Sequence, residues 1–268
     1  MTQETSVRAL SEVGGVWQRS LLVRLDGIRD ATSFVVWMQG ARHFADLRQP
    51  ASRPCFSGVA AARDLTWTQL AWMARQEGFA GELVSDGDFV EWRRLLDFQP
   101  PSGAPDSARL WFEGATLVEQ GRHAPYLERW EPLLAAPPRG SASAWLRQGG
   151  RDAVVVRCGD WFMTMIGRAA PLPPGQPLAA LLAAATLAEA QNLFACEISL
   201  GRTSPEGWRI ERSTLPWHEG RAMVPRFAQR RVEGQAPKQA WLRALAGEGD
   251  GPAWEIMEAD GDAALLVA

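Results

Sequence analysis

Asp46 and Arg48 stand two residues apart in the segment Trp37-Met-Gln-Gly-Ala-Arg-His-Phe-Ala-Asp-Leu-Arg48. On an extended strand that spacing puts both side chains on one face. A carboxylate beside a guanidinium there forms either a simple structural salt bridge or, where the face turns inward, a device for orienting an acidic or polar ligand through the planar fork of arginine donors. Asp97, with Arg93 and Leu95 at i−4 and i−2, offers the same chemistry on another segment. Acid, orienting group and base drawn from Asp46, Arg48 and Asp97 would equally serve an isomerase or cyclase. Trp17, Trp37, Trp92, Trp111 and Trp130 supply large apolar surfaces with one donor nitrogen each, suited to lining a pocket or filling a core.

Other constellations are weaker. Residues 210–220 gather Glu211, Ser213, His218 and Glu219, but a nucleophile and its base must touch, which spacing does not establish. A strand followed by a polar loop is the expectation there. His43, His123 and His218 lack the i, i+4 spacing of a helical metal site, so no metal is expected. GxxxxGK[ST], GxGxxG, HExxH and GxSxG are all absent, and no cofactor is implied.

The elements that must position Asp46, Arg48 and Asp97 are short β-rich runs bounded by turn residues. In the first half they are Val16–Leu25, Phe34–Gln39, His43–Arg48, Phe79–Val84, Phe89–Phe98, Arg109–Phe112, Thr116–Gln120 and Tyr126–Trp130. Eight strands suit a small closed antiparallel barrel, which removes exposed edges and can enclose a small ligand. The second half carries Ala144–Arg147, Ala153–Arg157, Trp161–Gly167, Leu193–Leu200, Trp208–Thr214, Trp254–Glu258 and Ala263–Val267. Helix-like stretches precede the fourth strand of each half, Thr66–Gln76 and Leu178–Gln191.

The halves echo one another in order. Trp17-Gln-Arg19 answers Trp145-Leu-Arg147, and Val35-Val36 with Gly40 answers Val154-Val155 with Gly159. Phe79-Ala-Gly-Glu-Leu83 answers Phe194-Ala-Cys-Glu-Ile198, and Trp92-Arg93 with Pro100 answers Trp208-Arg209 with Pro216. The Pro-rich stretch Ala135–Ser143 reads as a linker, giving units at 1–136 and 141–268, the second with an insertion at 218–252 and a short helix at Lys238–Leu245. So short a tether implies that the units touch and bury some tryptophans between them.

Phe79-Ala-Gly81, Trp92 to Pro101, Asp106 with Gly114, and Glu119-Gln-Gly121 leading to Tyr126-Leu-Glu-Arg-Trp130 resemble the Hri proteins of fungi and their bacterial relatives. The resemblance covers most of the chain. It implies a mainly β fold of two related antiparallel lipocalin-like β-barrels, each with a short helix, and it brings a protein partner into view, because the fungal proteins are named for binding a casein kinase. Where the family pattern places a His after the fifth-strand Trp, Arg93 stands here, so no His-based site is expected at that position.

Composition narrows the function classes. The chain has 268 residues, 46% of them hydrophobic, enough for a substantial core without disulfide or metal staples. Three widely spaced cysteines and a polar first segment favour a reducing, cytoplasmic location. A net charge of −3 argues against nucleic-acid binding, and Arg226, Arg230 and Arg231 read as a solvated face. The longest apolar run, Leu178–Ala190, is too short and too interrupted for membrane insertion. Lys238 is the sole lysine among abundant Arg, Ala, Gly and Pro, a bacterial, GC-rich signature.

The expectation is therefore a non-catalytic protein holding a small apolar or amphipathic ligand, with Trp37, Asp46, Arg48, Trp92, Asp97 and Trp130 as ligand-binding residues. A protein-interaction scaffold is the alternative, and a barrel-type isomerase or cyclase the third reading.

Overall fold

The computed structural model describes residues 4–7, 9–101, 103, 105–133, 140–223, 227–229 and 254–266. The first unit contains β1 (Glu4–Ser6), β2 (Gly15–Arg24), β3 (Arg29–Asp30), β4 (Phe34–Gln39), β5 (His43–Gln49), α1 (Trp67–Met73), β6 (Phe79–Asp86), β7 (Phe89–Asp97), β8 (Ser107–Glu113), β9 (Thr116–Gly121) and β10 (Tyr126–Pro132). Antiparallel pairing runs β8-β7-β6-β5-β4-β2-β10-β9 and returns from β9 to β8, closing an eight-stranded barrel. Closure leaves these strands without free edges.

The second unit comprises β11 (Ser141–Gln148), β12 (Arg151–Cys158), β13 (Trp161–Ile166), α2 (Leu178–Ala184), α3 (Leu187–Asn192), β14 (Glu197–Ser204), β15 (Gly207–Ser213), β16 (Ala222–Met223), β17 (Phe227–Gln229) and β18 (Trp254–Gly261). Their order is β16-β15-β14-β13-β12-β11-β18-β17, antiparallel except for β17 with β18. Among the described residues this ladder does not close. Its two ends are nonetheless tethered closely, because Met223 and Phe227 lie four residues apart along the chain, a reach of at most about 14 Å.

Alternation along β4 explains how the units meet. Val35 and Trp37 point into the barrel, while Val36 and Met38 point outward. Outward-facing Val36, Met38, Ala45 and Leu47 join Val154, Val156, Met163, Met165 and Ile198 of the second unit in one shared core. Trp72 and Trp161 belong to it, so tryptophans are buried between the units. Each fully buried side chain of this size contributes about 1.5–3 kcal/mol, so the layer holds the units as one body. Polar groups reinforce it: the Gln49 amide donates to Ser213 O at 2.9 Å and the Gln76 amide to Thr214 O at 3.1 Å.

Three expectations need correction. The stretch Leu178–Gln191 is two helices, because Thr186 caps α3 by accepting from the Glu189 N–H while the Glu189 carboxylate accepts from the Thr186 N–H. That turn pushes the start of the following strand from Leu193 to Glu197. Residues 263–266 form a 3-10 turn in place of a strand, since the Asp262 carboxylate accepts from the Ala264 N–H and initiates it. The helix expected at 238–245, the basic run Arg226, Arg230 and Arg231, and residues 134–139 of the linker lie outside the described residues. No described helix is long and apolar enough to cross a membrane.

Candidate functional site

Inside the first barrel the inward-facing side chains form two layers. One is aromatic. Trp37 sits edge-on to Trp92 at 5.6 Å and to Trp130 at 5.9 Å, and none of the three is more than 5% exposed. The structure therefore brings Trp37, Trp92 and Trp130 together as core packing, away from solvent. Trp111 faces outward and donates to Glu113 at 3.3 Å.

The second layer is charged. Arg19 on β2 donates to Glu128 at 2.6 Å and to Asp30 at 2.7 Å. Asp46 and Arg48 share an inward face and meet at 2.8 Å, with Glu128 3.6 Å from the same guanidinium. The Tyr126 hydroxyl donates to Glu119 at 2.6 Å, and the Trp130 indole N–H donates to its other oxygen at 3.0 Å. Trp130 thus ties the aromatic layer to the charged one.

Burial sets the ionisation of this layer. Asp46 is pushed up to about 6, since desolvation outweighs the attraction of Arg48. Desolvation and the neighbouring Glu128 charge push Glu119 up to about 8, so it is a neutral acid near pH 7. The Tyr126 phenol is raised by burial and by the Glu119 charge beside it. At Asp30 burial also acts upward, but the backbone N–H groups of Thr32 and Ser33 and the charge of Arg19 prevail and hold it near 2.

Above the charged layer one end of the barrel opens into a cleft of about 590 Å³. Leu22, Leu25, Phe79, Pro100 and Pro125 give it apolar walls. Arg48, Arg94, Asp97, Tyr126 and Glu128 give it polar groups. Phe79 lies beneath two guanidiniums, with Arg94 3.7 Å and Arg48 5.1 Å from its ring centre. Arg48 and Asp97 line the cleft, whereas Asp46 is buried beside Arg48 and does not line it.

Asp97 reaches the cleft by a route the residue spacing does not reveal. The register between β6 and β7 slips by one residue, pairing Gly81 with Arg94 and Ala80 with Leu96 and leaving Leu95 unpaired as a bulge. Beyond the bulge the alternation reverses, so the partner of Asp97 is Arg94 at 3.0 Å and Arg93 faces outward, exposed. Gly81 is required there, because a Cβ would stand 1.9 Å from the Arg93 carbonyl oxygen. Arg94 also grips Asp106 at 2.6 Å. Burial raises Asp97, and Arg94 offsets part of that rise.

In the second unit the polar segment does not assemble a nucleophile. Ser213 is buried and bonds Ser199 Oγ at 3.0 Å, while His218 pairs with Glu197 at 2.8 Å. Glu219 accepts from the Ser213 N–H and from Arg53. The three histidines lie on separate elements: His43 on β5, His123 between β9 and β10, and His218 beyond β15.

Residue spacing missed Arg19, Glu119, Tyr126 and Glu128. A signal was present: Tyr126, Glu128 and Trp130 alternate on one strand face, as do Leu117 and Glu119, placing carboxylates on faces otherwise apolar. Tyr126 is also the single tyrosine of the chain.

No family model and no curated protein matches this chain. Among solved structures it is similar to that of an uncharacterised protein, YLR301w, from Saccharomyces cerevisiae, at 12% identity and a TM-score of 0.49, covering 91% of this chain and 98% of the yeast chain.

Proposed function

We propose that the first barrel holds a small amphipathic ligand in the cleft above Arg48. The observation that carries this reading is the combination of apolar walls with a buried charged floor in a space of about 590 Å³, within the range of small-molecule sites. Three arginines and five carboxylates border it, and Arg48 and Arg94 are already committed to Asp46, Asp97 and Asp106. An acidic head group would meet surplus negative charge. A neutral or cationic head fits better, donating to Glu128 or Asp97 while its apolar part rests on Leu22, Leu25 and Pro125. The role of Arg48 is then to balance the buried carboxylates beneath the ligand.

This reading treats the first unit as a lipocalin-like barrel, the two units as products of an internal duplication, and the protein as cytoplasmic and bacterial. Three free cysteines are in keeping with a reducing compartment. The barrel-type isomerase or cyclase keeps one supporting observation, that Asp97 and Arg48 both border the cleft. The scaffold reading rests on residues 218–252, of which 224–226 and 230–252 lie outside the described residues.

Native mass spectrometry of gently purified protein, set against its denatured mass, tests the proposal. A reproducible added mass that leaves on denaturation, and that falls in Tyr126→Phe and Leu25→Asp variants, is expected. A clean mass in all three proteins, together with no Trp fluorescence change on titration with dodecylamine or decanol, refutes it.

A further inference from the structure

His43 opens β5 at the seam between the units, with no exposed surface. Its Nδ1 lies 3.1 Å from Ser143 Oγ on β11. Its Nε2 is buried and has no hydrogen-bond partner. That nitrogen is aimed at two carboxylates: Glu82, the cross-strand partner of His43 on β6, and Glu258 on β18, whose Oε2 is 3.8 Å away. The imidazole nitrogen and one oxygen from each carboxylate lie within 4.8 Å of one another. Arg42 is bonded to both carboxylates, to Glu82 at 3.0 Å and to Glu258, yet leaves the imidazole nitrogen unserved.

An unpartnered buried imidazole facing two carboxylates is short of a cation that all three can share, because a buried polar atom without a partner has lost its water contacts with nothing in their place. A guanidinium N–H can donate to an imidazole lone pair, but Arg42 directs its contacts to the two carboxylates and does not bond Nε2. We propose that His43 Nε2, Glu82 and Glu258 form a divalent transition-metal site, of the Zn²⁺ class, that joins the two units. One imidazole and two carboxylates match the ligand preferences of zinc and its neighbours, whereas Mg²⁺ and Ca²⁺ favour all-oxygen sets. The Ser143 hydroxyl, accepting from Nδ1–H, supplies the outer partner that fixes the ring of a metal-bound histidine. Glu82 and Glu258 are 23% and 32% exposed, so their side chains are free to close by the roughly 1–1.5 Å that ligand distances near 2 Å demand. Arg42, itself 45% exposed, swings outward to vacate the carboxylates, and water takes the fourth position.

Calorimetric titration of the chelator-stripped full chain with ZnCl₂, repeated with CoCl₂ to read visible absorption, tests this. One equivalent is expected, with Glu82→Gln and Glu258→Gln each weakening it by about tenfold or more. Arg42→Ala is the discriminating variant, because it removes the competing cation and is expected to bind zinc more tightly than the parent. His218→Asn serves as a control for surface binding and is expected to change nothing. No heat and no cobalt spectrum in both the parent and Arg42→Ala overturns the proposal, as does binding that is unchanged in Glu82→Gln and Glu258→Gln. The glutamate variants remove exposed charges and are checked for folding by thermal melting, so a lost metal is not confused with a lost fold.

Discussion

Glu119→Gln isolates the ionisation of the barrel interior. Burial and the nearby Glu128 keep the Glu119 proton in place up to about pH 8, whereas an unfolded chain releases it near 4.5. Between those values the native state binds one more proton than the unfolded state, so stability falls as pH rises, by about 1.4 kcal/mol per pH unit. From pH 6 to pH 8 the loss traceable to this carboxyl is about 2 kcal/mol, because the slope falls off as the group half-ionises near pH 8. Glutamine has the shape of the neutral acid and cannot ionise. Its carbonyl can still accept from the Trp130 indole, and its amide can donate to the Tyr126 oxygen. Urea unfolding followed by Trp fluorescence at pH 6, 7 and 8 should show the stability of the variant relative to the parent rising by about 2 kcal/mol across the series. Asp46 also titrates in this window, but it is present in both proteins and cancels in the difference. A difference that stays constant within about 0.5 kcal/mol, or that shrinks with rising pH, would refute the assignment of a proton to Glu119.

Arg19→Met strips the nearer of two guanidiniums from Glu128, which is 2% exposed, leaving it Arg48 at 3.6 Å, and releases Asp30; breaking this buried network should cost about 3 kcal/mol, read as a lowered urea midpoint at pH 7. Gly81→Ala drives a methyl into the Arg93 carbonyl and should cost about 3 kcal/mol, seen as a fall in Tm, while Gly87→Ala, at a turn with open space around it, should cost less.

The barrel strands were legible because each is a short β-rich run bounded by turn residues, as in Phe34–Gln39 and His43–Gln49. The Asp46–Arg48 pair was legible for the same reason, since no bulge intervenes between them. The Asp97 partnership was not, because one unpaired residue at Leu95 reverses the alternation, and the need for that bulge is carried by Gly81 on the neighbouring strand. The tryptophans misled in the opposite sense. Their types suit a pocket wall and a core equally, and only the packing of Trp37 between Trp92 and Trp130 decides. The echo of Phe79-Ala in Phe194-Ala also conceals a difference. Phe79 lies on β6 inside the barrel, whereas Phe194 precedes β14 and packs in the layer between units. The bulge glycine Gly81 has its counterpart at Gly201, where a Cβ would meet the Arg209 carbonyl oxygen at 2.1 Å.

β4 is buried on both faces, with Val35 and Trp37 turned to the cleft-bearing barrel and Val36 and Met38 turned to the second unit. Consecutive residues of one strand therefore report to different cores, and the backbone amides between them are shielded from either side. Melting should then be a single cooperative event, with these amides among the slowest in the chain to exchange their protons for deuterons. It follows that severing the chain between Pro132 and Ser141 would not yield two free-standing proteins, because each would inherit an apolar face shaped by the other.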